Sequence, residues 1–269
     1  MGAGPERLLE AGLEKRLKDR GHATSVTTIE LPSGFLFAEA QAAFELNRRL
    51  ASAVHAACER KAFPVILSGN CISSIGTTAG VGPSQLGAIW FDAHGDFNTP
   101  ETTKSGFLDG MSLGILTGEC WSSLAATVPG FKPLSEDRVM LIGARDFDRA
   151  EDRAFNSSSI TRISADAARR ELHEDLASLR ERVANLYLHV DLDVLDASEG
   201  KANSYAVTNG MTVAELDSAI SSIIRTFHVR AMAVTAYDPA ADTDGRICEA
   251  ALSSISSAID ALKLAAMHS

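Results

Sequence analysis

Five short apolar runs, each closing on polar residues or glycine, constrain this chain more than any other feature. They are AFPVILSG (62–69), QLGAIWFD (85–92), DRVMLIGA (137–144), NLYLHVDLD (185–193) and VRAMAVTAYD (229–238). Runs of this length and composition read as strands buried on both faces. Helix-like stretches lie between them, at Ala38 to Arg60, Ala165 to Leu179, Val213 to Thr226 and Glu249 to Met267, with NSSSI (156–160) as a loop. Strand alternating with helix predicts an α/β fold with a mainly parallel sheet and helices on both faces, because parallel neighbours need crossover connections. Ligands of such sheets bind at the carboxyl ends of strands. The polar clusters SGNC, DAHGD, DLD and YDPAAD fall at those ends.

No internal repeat, low-complexity tract or long linker divides the 269 residues, so one domain over 1–269 is expected. A hydrophobic share of 45% supplies a core, yet no apolar run reaches the ~18 residues of a membrane span. The opening MGAGPERLLE lacks a secretory signal's apolar stretch, which predicts a cytoplasmic protein. Cysteines at 58, 71, 120 and 248 form no CxxC pair, so reduced thiols are expected rather than a zinc ribbon or a disulfide scaffold. A net charge of −10 with no block of Lys and Arg argues against nucleic acid as a partner.

Chemistry concentrates where two runs end. In DAHGD an extended backbone would point Asp92, His94 and Asp96 to one side, and in DLD it would do the same for Asp191 and Asp193. A polar loop with helix-capping aspartates is the plainer alternative for the first segment alone, and a solvated acidic edge for the second. Taken together, five such ligands exceed what one ion usually needs, whereas two ions ~3.5–4 Å apart share bridging carboxylates. Carboxylates combined with imidazole suit manganese, iron, nickel or zinc better than calcium or magnesium.

With these residues in place, the chain resembles the ureohydrolase family of arginases, agmatinases and formiminoglutamases. The resemblance rests on DAHGDFNTPETTKSGFLDGMSLG (92–114) and HVDLDVLD (189–196). Support comes from LSGNCIS (67–73), IGARDFD (142–148), VTNGMT (207–212), AYDPAAD (236–242) and the opening GAGPERLLEAGL. It implies a three-layer α/β/α sandwich and two divalent metal ions, manganese in the family, held by Asp92, His94, Asp96, Asp191 and Asp193. It also implies a homo-oligomer, a trimer or hexamer. The family's first strand is absent from the opening residues, so the start lies upstream, or the chain is trimmed, or the sheet is rebuilt.

Departures from the family pattern bear on the substrate. Cys71 stands in SGNC where most members carry a metal-binding His, and thiolate is a competent, softer ligand; a small buried thiol is the alternative. This cysteine and HGDFNTPETT resemble the N-hydroxyarginine hydrolase branch. Asp109, in FLDGM, replaces a His thought to shuttle protons, and would do that work if burial raised its pKa; it would also serve as the N-cap of GMSLGILTG. Ala236 takes the place of a guanidinium-gripping Glu, with Asp238 two residues on as a partial substitute. Asn98 and Asp238 are the candidate substrate-binding residues. His189 reads as a satisfied core histidine, and Asp242 and Arg246 as polar loop residues that could reach a substrate.

The function expected from these residues is hydrolysis of a C–N bond in a small guanidino, N-hydroxyguanidino or amidine-type substrate by metal-bridging hydroxide, with Asp109 as catalytic residue helping to protonate the departing amine. The alternative is a non-catalytic relative with a structural or regulatory role.

Overall fold

All five expected strands form, and a sixth joins them. The computed structural model describes residues 1–35, 38–82 and 85–267. The strands are β1 (Val65–Leu67), β2 (Leu86–Phe91), β3 (Val139–Ile142), β4 (Thr161–Ile163), β5 (Asn185–Asp191) and β6 (His228–Thr235). They make one sheet in the order β1-β6-β5-β2-β3-β4, with every pairing parallel. The unexpected member, β4, is the edge strand Thr-Arg-Ile, in which Ile163 alone is buried. Three residues are too few to display a period, and a half-wet edge needs no apolar run.

Side chains alternate along each central strand, and this sorts the core into two layers. Ile89, Phe91, Met140, Ile142, Leu188 and Val190 face one way. They pack against the helices Ala165–Arg180, Val213–Thr226 and Arg246–Met267. Ala88, Trp90, Val139, Leu141 and Tyr187 face the other way, against the helices Glu39–Glu59 and Ser73–Val81. The result is the three-layer α/β/α sandwich.

Helix boundaries follow the caps. Thr212 and Glu215 close a capping box at the start of Val213–Thr226, and Ser164 accepts the Ala167 N–H at the start of Ala165–Arg180. The last helix begins at Arg246, ahead of the expected Glu249, because the Asp242 carboxylate accepts the N–H groups of Ile247 and Cys248. Asn156 and Ser157, expected in a loop, complete the helix Arg149–Ser157. The opening residues form two helices, Gly4–Glu10 and Leu13–Asp19, whose Leu8, Leu13 and Leu17 are buried in the first of the two core layers.

Topology decides where the polar strand ends meet. From β2 the chain steps outward to β3 and β4, then returns to lay β5 on the opposite side of β2. Trp90 pairs with His189 and Phe91 with Val190, so DAHGD and DLD emerge side by side at the switch point of the sheet.

Candidate metal centre

Both acidic strand ends use the same local device. After β2, Asp92 Oδ1 accepts the His94 N–H at 2.7 Å; at the end of β5, Asp191 Oδ1 accepts the Asp193 N–H at 2.9 Å. An aspartate that bonds the backbone two residues on makes an Asx turn. The ligand-bearing segments therefore leave the pleat, and the expected extended presentation is corrected to a turned one. Asp96 sits at φ 49°, a left-handed conformation that costs a non-glycine residue roughly 1–3 kcal/mol. Its carbonyl is held by the N–H groups of Leu113 and Gly114 at 2.9 and 3.1 Å. Gly95 is required beside it, because a Cβ there would come within 2.6 Å of Glu151 Oε1 and of the Phe147 ring.

The two turns are tied by the Ala93 N–H, which donates to Asp193 Oδ1 at 3.1 Å. Ligand atoms then fall into two groups that share one residue. Cys71, Asp92 and Asp191 form one and Asp92, His94 and Asp193 the other, with the atoms of each within 4.8 Å of one another. Asp96 belongs to neither trio, yet its Oδ2 is buried with no hydrogen-bond partner. An orphaned acceptor of this kind costs roughly 1–3 kcal/mol unless a donor or cation meets it. Cys71, Asp92, His94, Asp96, Asp191 and Asp193 all line one cleft of about 260 Å³, together with Asn98 and Asp109.

Carboxylates dominate the cleft. Among the described residues no Lys or Arg lines it, whereas eight carboxylates do, beside His94 and the amino-terminal Met1. Burial, and then the neighbouring carboxylates, hold Asp96 and Asp191 well above the usual carboxylate range. Burial opposes a charge on His94, but Asp193 and Asp92, each 3.3 Å from its Nδ1, override it and push the imidazole up to about 12. Burial would likewise raise Asp193, and the hydrogen bond from His94 brings it down to about 2. Crowded carboxylates, an unpartnered oxygen and a thiol in one cleft fit the donor set of divalent cations with borderline preferences.

Asp109 has a different structural role from the cap expected of it. The short 3-10 turn Asp109–Met111 and the helix Ser112–Thr117 that follows carry no side-chain N-cap. The Asp109 carboxylate instead accepts the Ile72 N–H at 3.0 Å, Asn70 Nδ2 at 3.0 Å and the Ser112 hydroxyl at 3.2 Å. It thereby anchors the Cys71 loop at the start of another helix, Ser73–Val81. Burial raises Asp109 to about 6 despite these bonds.

The remaining candidates separate. Asn98 is buried in the cleft wall, its Oδ1 accepting the Thr102 hydroxyl at 2.9 Å. Ala236 lines the cleft at φ 57°, but Asp238 does not; the Asp238 carboxylate accepts the Ala240 N–H at 3.0 Å. Its other oxygen lies 4.0 Å from the amino group of Met1, a residue of the cleft lining, so the side chain is divided between a local turn and the cleft rim. Asp242 caps the last helix, and Arg246 bonds Asp244 and the Ser198 carbonyl outside the cleft. His189 is fully buried between Tyr187 Oη at 2.7 Å and Thr235 Oγ1 at 3.1 Å, and burial drives it down to about 3. The four cysteines form no disulfide.

Several supporting residues carry no signal in the strand-end pattern. Asn203 donates to Asp193 Oδ2 at 3.1 Å and to the Ala236 carbonyl at 3.0 Å. Glu151 accepts the Phe97 N–H at 2.9 Å and closes a capping box with Asp148; that D-x-x-E spacing is legible as a helix start but not as a cleft wall. Arg145 fans its guanidinium over the carbonyls of Gly143, Asp193, Val194, Leu195, Val207 and Thr208. Arg145→Met leaves these acceptors without their donor and is expected to lower unfolding stability by ~2–3 kcal/mol. Arg145→Lys should recover little of it, because one ammonium cannot span six carbonyls. Urea denaturation midpoints of the three proteins check this, and a Lys variant equal to wild type would contradict it.

A family model described as "Arginase family" matches residues 2–260. An arginase from Bacillus caldovelox is 36% identical over 183 residues, covering 65% of this chain and 61% of that protein, so the match spans under two thirds of that relative's length. The solved structure of a Bacillus caldovelox arginase superposes with a TM-score of 0.83 at 28% identity, covering 95% of this chain and 91% of that one. A solved Bacillus cereus arginase gives a TM-score of 0.85 at 27% identity over the same shares, 95% and 91%.

Proposed function

The chain belongs to the arginase family, and from that premise we propose that it is a metal-dependent hydrolase cleaving a C–N bond of a small guanidino-type substrate. The observation that carries this reading is the pair of ligand groups joined at Asp92. Cys71, Asp92 and Asp191 would hold one divalent cation and Asp92, His94 and Asp193 the other, with Asp96 adding its unpartnered Oδ2. Manganese is the metal proposed. Bound there, the cations would bring the pKa of a water near neutrality and supply electrostatic stabilisation of the charge that develops on the heteroatoms around the attacked carbon.

Asp109 supplies the proton handling. A carboxylate offers about four lone-pair sites, and three are used by Asn70, Ile72 and Ser112. The remaining one accepts a proton from the attacking water and delivers it to the departing nitrogen. The same hydrogen bonds hold the carboxylate in place, so anchoring and proton transfer are one arrangement. Asn98 contributes a fixed amide to the cleft wall.

Within the guanidino class, an N-hydroxyguanidine is the favoured substrate. Ala236 puts a methyl group where arginases and agmatinases carry a charged Glu, and Asp238 does not line the cleft. An N-hydroxyguanidine is a weaker base than a guanidine and depends less on that missing partner. With manganese added, kcat/KM for N-hydroxyarginine is expected to exceed that for arginine by roughly 10-fold or more, read as release of hydroxyurea and urea. Turnover of neither compound, nor of agmatine or formiminoglutamate, by protein with its metal bound would sink the proposal. The arginase relatives do not favour the non-catalytic alternative. A cytoplasmic homo-oligomer, trimer or hexamer, completes the reading, and light scattering on the eluted protein tests the assembly.

A further inference from the structure

Beneath the cleft lies a chain of polar side chains that the proposed hydrolysis leaves unused. Tyr187, His189 and Thr235 are each fully buried. Tyr187 Oη lies 2.7 Å from His189 Nδ1, His189 Nε2 lies 3.1 Å from Thr235 Oγ1, and Thr235 Oγ1 lies 3.2 Å from Cys71 Sγ. Weaker contacts place the same hydroxyl 3.5 Å from the Val190 carbonyl and 3.5 Å from Asp191 Oδ2. The His189 ring also stacks on Trp90, with centroids 3.6 Å apart and planes 13° apart, and Trp90 Nε1 donates to Asp92 Oδ2 at 3.0 Å. One packed unit thus touches Cys71 from one end and Asp92 from the other.

The direction of these hydrogen bonds can be assigned from the inventory of donors. A buried phenol hydrogen needs an acceptor, and the recorded partner of Tyr187 Oη is His189 Nδ1. Nδ1 therefore accepts, and a neutral imidazole then carries its hydrogen on Nε2. That N–H donates to Thr235 Oγ1, which leaves the threonine hydrogen for its nearest remaining neighbour, Cys71 Sγ. Each link points toward the sulfur. Such an order suits a sulfur that accepts, as a metal-bound thiolate does after giving its proton to solvent. The Cys71 thiol in turn donates to Asp191 Oδ2 at 3.0 Å, and a cation that displaced this proton would sit between thiolate and carboxylate.

We propose that Thr235, oriented by Tyr187 and His189, is a positioning residue that donates a hydrogen bond to Cys71 Sγ and sets that sulfur as a ligand of one of the two cations. This rests on the two-cation reading above. Outer partners of this kind orient a ligand and tune its affinity, and removing one typically costs 10–100-fold in metal binding.

Cobalt(II) makes the sulfur visible through a near-ultraviolet sulfur-to-cobalt charge-transfer band, while equilibrium dialysis counts bound metal. Wild type is expected to show the band with two cobalt ions bound, and Thr235→Ser, which keeps the hydroxyl, to match it. The near-isosteric Thr235→Val should shift the band and weaken cobalt binding at the sulfur site by ~10-fold, with the second cobalt unchanged. Tyr187→Phe, which frees His189 to reverse, should show a smaller change in the same direction. A wild-type band and affinity in Thr235→Val overturns the proposal, as does an equal loss in Thr235→Ser. Should Thr235→Val not fold, wild-type behaviour of Tyr187→Phe overturns it instead. Two cobalt ions bound by wild type with no sulfur band overturns the role of Cys71 and leaves the two-cation reading standing, whereas no bound cobalt overturns that reading itself.

Discussion

Asp92→Ala is expected to lose both cations and, with them, hydrolytic rate by at least about 10³-fold, the scale of losing a preorganised electrostatic stabiliser. Among the described residues Asp92 alone appears in both ligand groups, so no other single change should empty both positions. His94→Ala and Cys71→Ser each touch one group and should each leave the other cation in place. Metal analysis of the three purified variants separates these outcomes. The alanine variant also strips Trp90 Nε1 of its acceptor and the His94 N–H of its turn partner. Asp92→Asn, which keeps the shape without the charge, isolates the electrostatic part. Retention of two cations and wild-type rate in Asp92→Asn would refute the shared-ligand reading.

The second large effect is expected at Asp109. Asp109→Asn should retain bound metal while kcat falls by ~10²–10⁴-fold, the usual contribution of a positioned acid or base. The pH dependence follows from its raised pKa of about 6. A carboxylate that must accept a proton is competent above its pKa, so this group's contribution to kcat/KM fades as pH falls through about 6, and through a lower value once cations stabilise the charge. That acid limb should vanish in Asp109→Asn. Stability runs the other way: with a folded pKa above the unfolded one, the group favours folding most below pH ~4 and loses that contribution as pH rises to 6. An asparagine variant with full kcat and an unchanged pH profile would reduce Asp109 to the anchor of the Cys71 loop.

Much of the architecture is legible from local pattern, because apolar runs buried on both faces have few alternatives to a parallel sheet. The five apolar runs and the four long helices were readable for that reason, whereas β4 was too short and too polar to be seen. The ligand segments were also legible, although for a partly different reason than the spacing suggests. D-x-H and D-x-D do bring side chains together, but through Asx turns that leave the pleat, with Asp96 held at a positive φ.

Residues distant in sequence behaved differently. Asp238 lies two residues beyond a cleft-lining Ala236 and yet accepts the Ala240 N–H of its own turn, with its other oxygen 4.0 Å from the Met1 amino group. Asp109 serves a helix start 37 residues upstream of it rather than the helix that follows. His189 shares its strand with Asp191 but lies beneath the cleft, where Trp90, Tyr187 and Thr235 enclose it.

The sequence by itself determined the donors: Asp92, His94 and Asp96 at one strand end, Asp191 and Asp193 at another, each spacing set by covalent geometry over a few residues. Only the tertiary structure decided how they are shared. Laying β5 against β2 put Asp191 and Asp193 in separate groups joined by Asp92, and setting β6 between β1 and β5 brought Cys71, 120 residues from Asp191 along the chain, within 3.0 Å of it. Local turns are chosen by neighbours a few bonds away, whereas the partner across a sheet is chosen by packing of the whole core, and that information is spread over the entire chain.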